Sequence, residues 1–197
     1  MKQASKMRLS KPCTSIAQAC LVAVLAMLLF EVVSSRARGD DRGFSWTGTW
    51  ATSPLRDDAA SGFTRQTLRQ IVHTSIGGHK ARIHISNLFG TQPLTVADVH
   101  LARRSTGSAI VAPTDRKVQF AGLPSVTVPP GTEAISDPVD FQIPRLADVA
   151  ISFYLPNSIG PATYHPSGFQ TNYIADGDVS GSTSISPVKT VDRKSVV

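Results

Sequence analysis

The 197 residues are 41% hydrophobic and 17% charged, enough apolar material for one domain with a real core. The formal net charge of +6 is concentrated at one end: residues 1–43 hold seven Lys/Arg against three Asp/Glu, and the rest hold thirteen against eleven. That near balance gives no support for nucleic-acid binding. Both cysteines, Cys13 and Cys20, fall in the same leader, which excludes a disulfide framework downstream.

Lys2, Lys6, Arg8 and Lys11 precede an uncharged, apolar run from Thr14 to Phe30, and Ser35-Arg36-Ala37 offers small residues at a cleavage site. Residues 1–37 therefore read as a secretory signal peptide. The chain is expected to be secreted or periplasmic, with membrane contact only through this segment. An uncleaved anchor is the competing reading, for which the run is marginal against the roughly 20 residues of a span. Residues 38–43 form a charged, glycine-containing joint, and a β-sandwich is expected over 44–175.

In Phe44 to Pro54, Trp46, Gly48 and Trp50 share one face of an expected strand. The tryptophans are either core or a sugar-stacking platform. Residues 57–62 are a loop, and Phe63 to Gly90 (FTRQTLRQIVHTSIGGHKARIHISNLFG) follows. Two β-prone runs flank Gly77-Gly78, which predicts a two-residue hairpin. Its register sets Thr74 against Ala81, Val72 against Ile83 and Gln70 against Ile85. On the other face His73 meets Arg82 and Ile71 meets His84.

In Leu94 to Arg103, Val96, Asp98 and His100 alternate with Ala97, Val99 and Leu101. A surface loop over 105–116 leads to short strands at 117–121, 125–128, 133–136 and 139–143, punctuated by Gly and Pro. Asp148 to Leu155 is the cleanest alternation, with Val149, Ile151, Phe153 and Leu155 on one side. Some eight to ten short strands between 65 and 173, without an amphipathic helix, predict an all-β, antiparallel, jelly-roll-like sandwich. The segment 157–173, carrying Tyr164, His165, Phe169 and Tyr173, either binds a ligand or packs across an open end. Residues 176–191, rich in Gly and Ser at their start, read as a linker.

A hydrolase needs a nucleophile, a base and oxyanion donors. No Gly-x-Ser-x-Gly or Gly-Asp-Ser occurs; Gly177-Asp178-Val179-Ser180 comes nearest, with its serine displaced by one residue. Asp98-Val99-His100 lacks the Asp-x-x-His spacing. No catalytic residue is expected. His73 and His84 fall beside Arg82, which would repel a cation, so no metal is expected. No glycine-rich turn leads into a helix, and no cofactor is expected.

The stretch QTLRQIVHTSIGGHKARIHISNLFGTQPLTVADVHLA resembles the N-terminal β-domain of secreted SGNH/GDSL-type hydrolases, the GDSL-like lipase or acylhydrolase family. So do WTGTWATSP, TDRKVQFAG, SVTVPPGTEAISDPVDF, LADVAISFYLP and GPATYHPSGFQTNYIADGD. The resemblance covers residues 46 to about 180 and none of its motifs is catalytic. It implies that an α/β catalytic domain, with a Gly-Asp-Ser block and a later Asp-x-x-His block, follows this region and is its partner. In that family a serine attacks an ester carbonyl with histidine as base.

Trp46, Trp50, Tyr164, His165 and Asn172 are the expected ligand or interdomain contacts, the ligand being a polysaccharide. Asp192 to Val197 (DRKSVV) back-translates as GAT CGG AAG AGC GTC GTG, which resembles a sequencing-adapter sequence, so 192–197 is expected to be an artefactual tail.

Overall fold

The computed structural model describes residues 45–56 and 62–195. The expected signal peptide and joint, 1–43, lie outside them. Gly48–Val197 form one compact unit; of the other, Met1–Thr47, only 45–47 are described. Among the described residues no helix is long and apolar enough to cross a membrane.

The strands in chain order are β1 (Leu55–Arg56), β2 (Thr64–Thr74), β3 (Gly78–Ala81), β4 (His84–Ser86), β5 (Leu94–Arg103), β6 (Arg116–Val118) and β7 (Ser125–Val128). There follow β8 (Glu133–Ile135), β9 (Val139–Ile143), β10 (Ala147–Ser158), β11 (Thr163–Pro166), β12 (Asn172–Asp176), β13 (Lys189–Val191) and β14 (Arg193–Ser195). Every ladder is antiparallel. The protein is an all-β sandwich. Its large sheet runs β13-β12-β2-β10-β5-β6, with β7 on the same edge of β5 as β6; the pairs β3-β9 and β4-β8 and the sheet β1-β11-β14 complete it.

The alternation in β10 works as the sequence predicts on its inner side. Val149, Ile151, Phe153 and Leu155 join Leu68, Val72, Ile85 and Phe141 in the main core. Fully burying one such side chain contributes about 1.5–3 kcal/mol. The opposite side is not solvated, because Ile71, Ala102, Ala150, Tyr173 and Ala175 form a second apolar cluster with Ile110 and Ile185. Segments 105–112 and 177–188 lie over that outer face.

The Gly77-Gly78 hairpin does not form. β2 is flanked by β10 and β12, with His73 opposite Asp148 and Leu68 opposite both Phe153 and Ile174. Both of its edges are thus occupied, so the following run pairs elsewhere: β3 with β9, and β4 with β8, where His84 meets Ile135. Neither glycine has positive φ. Gly77 is needed for a close approach instead, since a Cβ there would stand 2.8 Å from the Ile143 carbonyl oxygen.

A β-bulge breaks the expected alternation of β5. Ser152 faces His100 and Tyr154 faces Ala97, so β5 spends one more residue than β10 between these pairs. The extra residue switches phase, and Leu94, Val96, Val99 and Leu101 all reach the main core. Asp98 sits at the bulge with φ 44.

Of the expected 44–54 strand, the described residues 45–54 do not form one. Thr49 ties it to the end of β2, where Ser75 N donates to Thr49 O at 3.0 Å and Thr49 Oγ1 donates to Ile76 O at 2.7 Å. The expected linker 176–191 is also corrected: Ser180 is fully buried, Ile185 is buried, and β13 pairs with β12. Hydroxyl and carbonyl groups in this Gly/Ser-rich segment find partners on the sheet, so it packs where flexible chain was expected. In the expected tail, β14 pairs with β11. There Ser195 exchanges hydrogen bonds with the Gln70 side chain, and burial pulls the Lys194 amino group down to about 8 against the opposing charges of Asp192 and Asp148.

Candidate functional site

The bulge brings together the two fragments that the sequence kept apart. Asp98 and His100 lie on β5, while Asp178 and Ser180 come from the segment crossing the outer face. His100 is buried, and its Nδ1 lies 2.8 and 3.0 Å from the Asp115 carboxylate oxygens. Its Nε2 makes no hydrogen bond among the described residues and stands 3.6 Å from Asp98 Oδ2. Ser180 Oγ lies 2.7 Å from Asp178 Oδ1 and 3.0 Å from Asp98 Oδ2, so its single proton serves one carboxylate at a time. Lys117 Nζ donates to the other oxygen of Asp98 at 3.2 Å. Burial alone would raise the Asp98 carboxyl, but the hydrogen bonds from Lys117 and Ser180, with the charges of His100 and Lys117, hold it below its ordinary value.

Carboxylate, imidazole and hydroxyl are the ingredients of nucleophilic ester hydrolysis. The arrangement does not deliver that chemistry. The Ser180 hydroxyl is bonded to carboxylates instead of the imidazole, and the residue has no exposed surface. Gly181 closes over the ring, where a Cβ would come within 3.1 Å of His100 Cε1. The cluster works as a clasp that holds 177–181 on the sheet. No group of three or more His, Cys, Asp or Glu among the described residues is arranged to hold a metal.

Arg69 forms the other half of the clasp. It is fully buried in β2, and its Nε donates to Ser152 Oγ at 2.7 Å and its Nη1 to Ser108 O at 2.7 Å. Nη2 donates to Ser180 O at 3.0 Å and Ser182 O at 2.7 Å. One planar guanidinium thus ties both outer segments to the sheet, a geometry that lysine could not reproduce. Burial lowers its pKa, with the Asp115 charge opposing. Nearby, Asp148 accepts from His73 at 2.8 Å and Arg104 at 2.7 Å. Burial alone would raise the Asp148 carboxyl; those bonds and charges hold it low instead.

The expected contact residues differ in their surroundings. Trp46 is 40% exposed, whereas Trp50 is half-buried against the main core. Tyr164 and His165 sit half-buried on β11, where Tyr164 faces Leu55 of β1 and His165 Nδ1 lies 2.9 Å from Ser53 O. Asn172 is not a surface contact. Its Oδ1 accepts from Ile71 N and Lys194 Nζ, both at 2.8 Å, and its Nδ2 donates to Gln170 O and Arg193 O, both at 2.8 Å. A buried amide saturated in this way is a structural joint.

Sequence reasoning missed Arg69 and Asp115. The one signal for Arg69 was a charge inside the apolar run LRQIV. The cavity between Asn87, Leu94 and Ile159 measures about 10 Å³. That is room for about one water, far below the roughly 300 Å³ of small-molecule sites. No protein-family model matches the chain, and no curated protein matches it.

Proposed function

We propose that this chain is the N-terminal accessory β-sandwich of an exported SGNH/GDSL-type serine ester hydrolase and has no catalytic activity of its own. The observation that carries the reading is the ordered series of family-like segments from WTGTWATSP to GPATYHPSGFQTNYIADGD. The all-β architecture supports it, as does the burial of Ser180, a serine found beside a histidine–carboxylate pair. In this role the sandwich presents a rigid surface to a downstream catalytic domain and leaves acyl transfer to that partner.

Two measurements test the reading. Purified chain should not hydrolyse p-nitrophenyl acetate above the buffer rate. Activity abolished by Ser180→Ala would make the clasp an active site and overturn the assignment. Sequencing the source locus past codon 191 should open into a Gly-Asp-Ser block, with Asp-x-x-His further on.

A glycan-binding module is the second reading. It draws on the exposed aromatic ring of Phe169, at 89%, within the 157–173 segment. Saturable quenching of tryptophan fluorescence by acetylated polysaccharide would favour it.

A further inference from the structure

We propose that one end of the sandwich is a lipid-docking surface, on which Ile76, Leu146 and Phe169 enter the interface of an anionic bilayer while Arg103 and Arg145 meet its headgroups. The inference goes beyond the ester-hydrolase reading and holds with or without a catalytic domain. The strand register puts these residues together. β2 ends at Thr74, opposite Ala147 where β10 begins, so the loops carrying Ile76 and Leu146 share one end. Thr74 Oγ1 donates to Pro144 O at 2.7 Å, and a Cβ on Gly77 would lie 3.1 Å from Arg145 Cγ. β12 runs antiparallel to β2 and starts at Asn172, so the turn before it emerges at the same end. There Gln170 Nε2 donates to Asp148 Oδ1 at 3.4 Å. β5 also ends there, with Arg103 opposite Val149.

The apolar side chains project outward: Phe169 is 89% exposed, Leu146 68% and Ile76 39%. Leu146 and Phe169 have φ 49 and 51, the left-handed region that bulky residues rarely occupy and that Gly or Asn fills at less cost. Folding alone therefore favours other residues at both tips. Strain of this kind gathers at ligand clamps and switch regions.

The chemistry of these tips names the occupant. Ile76 and Leu146 are aliphatic and offer no flat ring for a sugar to stack on. Projecting apolar tips suit a deformable apolar phase, where binding grows with the area inserted and with attraction to anionic lipid. Arg103 and Arg145 are exposed beside them. Asp148 is already paired with Arg104 at 2.7 Å, and the exposed Asp192 is the opposing charge. Two exposed guanidinium groups against that carboxylate leave this end positive, the complement of anionic headgroups.

The test is co-sedimentation of the whole 197-residue chain with vesicles of phosphatidylcholine and phosphatidylglycerol mixed equally, beside vesicles of phosphatidylcholine alone. The apolar leader 14–30 is the same in every variant, so differences between variants report the sandwich. Leu146→Asn combined with Phe169→Asn suits the backbone at both tips, and should weaken binding roughly tenfold without lowering the melting temperature. Arg145→Gln should weaken it about fivefold on the mixed vesicles and leave it unchanged on phosphatidylcholine. Phe169→Leu should bind like wild type, because lipid needs an apolar side chain and not a ring. On the mixed vesicles, hydrogen exchange in 75–77, 145–147 and 167–170 should slow roughly tenfold, with 121–136 unchanged. Undiminished binding by the double Asn variant, or no protection of those amides, overturns the proposal and assigns any binding to the leader. A lower melting temperature in that variant overturns it too, making the two side chains structural. Equal binding to both kinds of vesicle overturns the anionic partner. Failure to bind vesicles, with saturable binding of acetylated polysaccharide that Phe169→Leu abolishes, also overturns it and makes a glycan the occupant.

Discussion

The two faces of the large sheet are held by different physics. On the inner face Leu68, Val72, Ile151, Phe153 and Leu155 meet apolar side chains of the opposing strands, and the contact is non-directional. On the outer face the apolar cluster around Ile71, Ala150 and Ile185 is smaller. There the covering segments are fastened by directional bonds: Arg69 to three backbone carbonyls, Ser180 to two aspartates, and Ile110 N to Thr183 O at 2.8 Å. An apolar layer tolerates small shifts of register, whereas a guanidinium with four fixed acceptors does not. The outer layer therefore specifies where two loops lie, while the inner layer supplies most of the cohesion.

The sharpest way to separate them is to damage each in turn. Phe153→Ala removes a ring with no exposed surface from the inner layer and should cost about 3–5 kcal/mol, read as a cooperative shift in the urea midpoint. A loss below about 1 kcal/mol would mean that the inner face is not the main source of stability.

Arg69→Met should cost about 2–4 kcal/mol, because several buried acceptors lose their donor together. Its signature should be local. Amide exchange in 105–110 and 177–185 should accelerate well before global unfolding, as segments freed from the clasp regain water. Uniform acceleration over the whole sheet would show that the two layers are not separable.

Asp148→Asn is the mildest break, worth about 1 kcal/mol at neutral pH, because the partners His73 and Arg104 keep 51% and 21% of their side chains exposed. In the folded state the Asp148 carboxyl is held below its ordinary value, so the folded chain binds fewer protons there than the unfolded one. Its contribution is complete above the unfolded carboxylate value of about 3.9 and is lost as pH falls through the folded one. The gap between wild type and variant should therefore close on acidification and shrink with added salt. A gap that stayed constant to pH 2 would assign the loss to packing instead.

Much of the fold was legible in local pattern. Leu94–Arg103, Ser125–Val128 and Val139–Ile143 appear as strands with the boundaries that alternation and the flanking Gly and Pro residues predict. The site was legible only in fragments. Asp98-Val99-His100 and Gly177-Asp178-Val179-Ser180 stood out singly, but their meeting needs the bulge at Asp98 and the return of a segment 82 residues away. Trp50 was expected on a strand and instead packs from a loop; Asn172 was expected at an interface and is locked inside.

By itself the sequence determined the class, the bounds of Leu94–Arg103, Ser125–Val128 and Val139–Ile143 and the inward residues of β10, because a two-residue period and turn chemistry act between neighbours in the chain. Only the tertiary structure decided that β2 lies between β10 and β12 instead of folding back on Gly77-Gly78, that Arg69 is interior, and that 177–188 is part of the domain. Those outcomes depend on which edges and acceptors are already taken by distant segments. Arg69 and the Ser182 carbonyl are 113 residues apart, and no local pattern records that pairing.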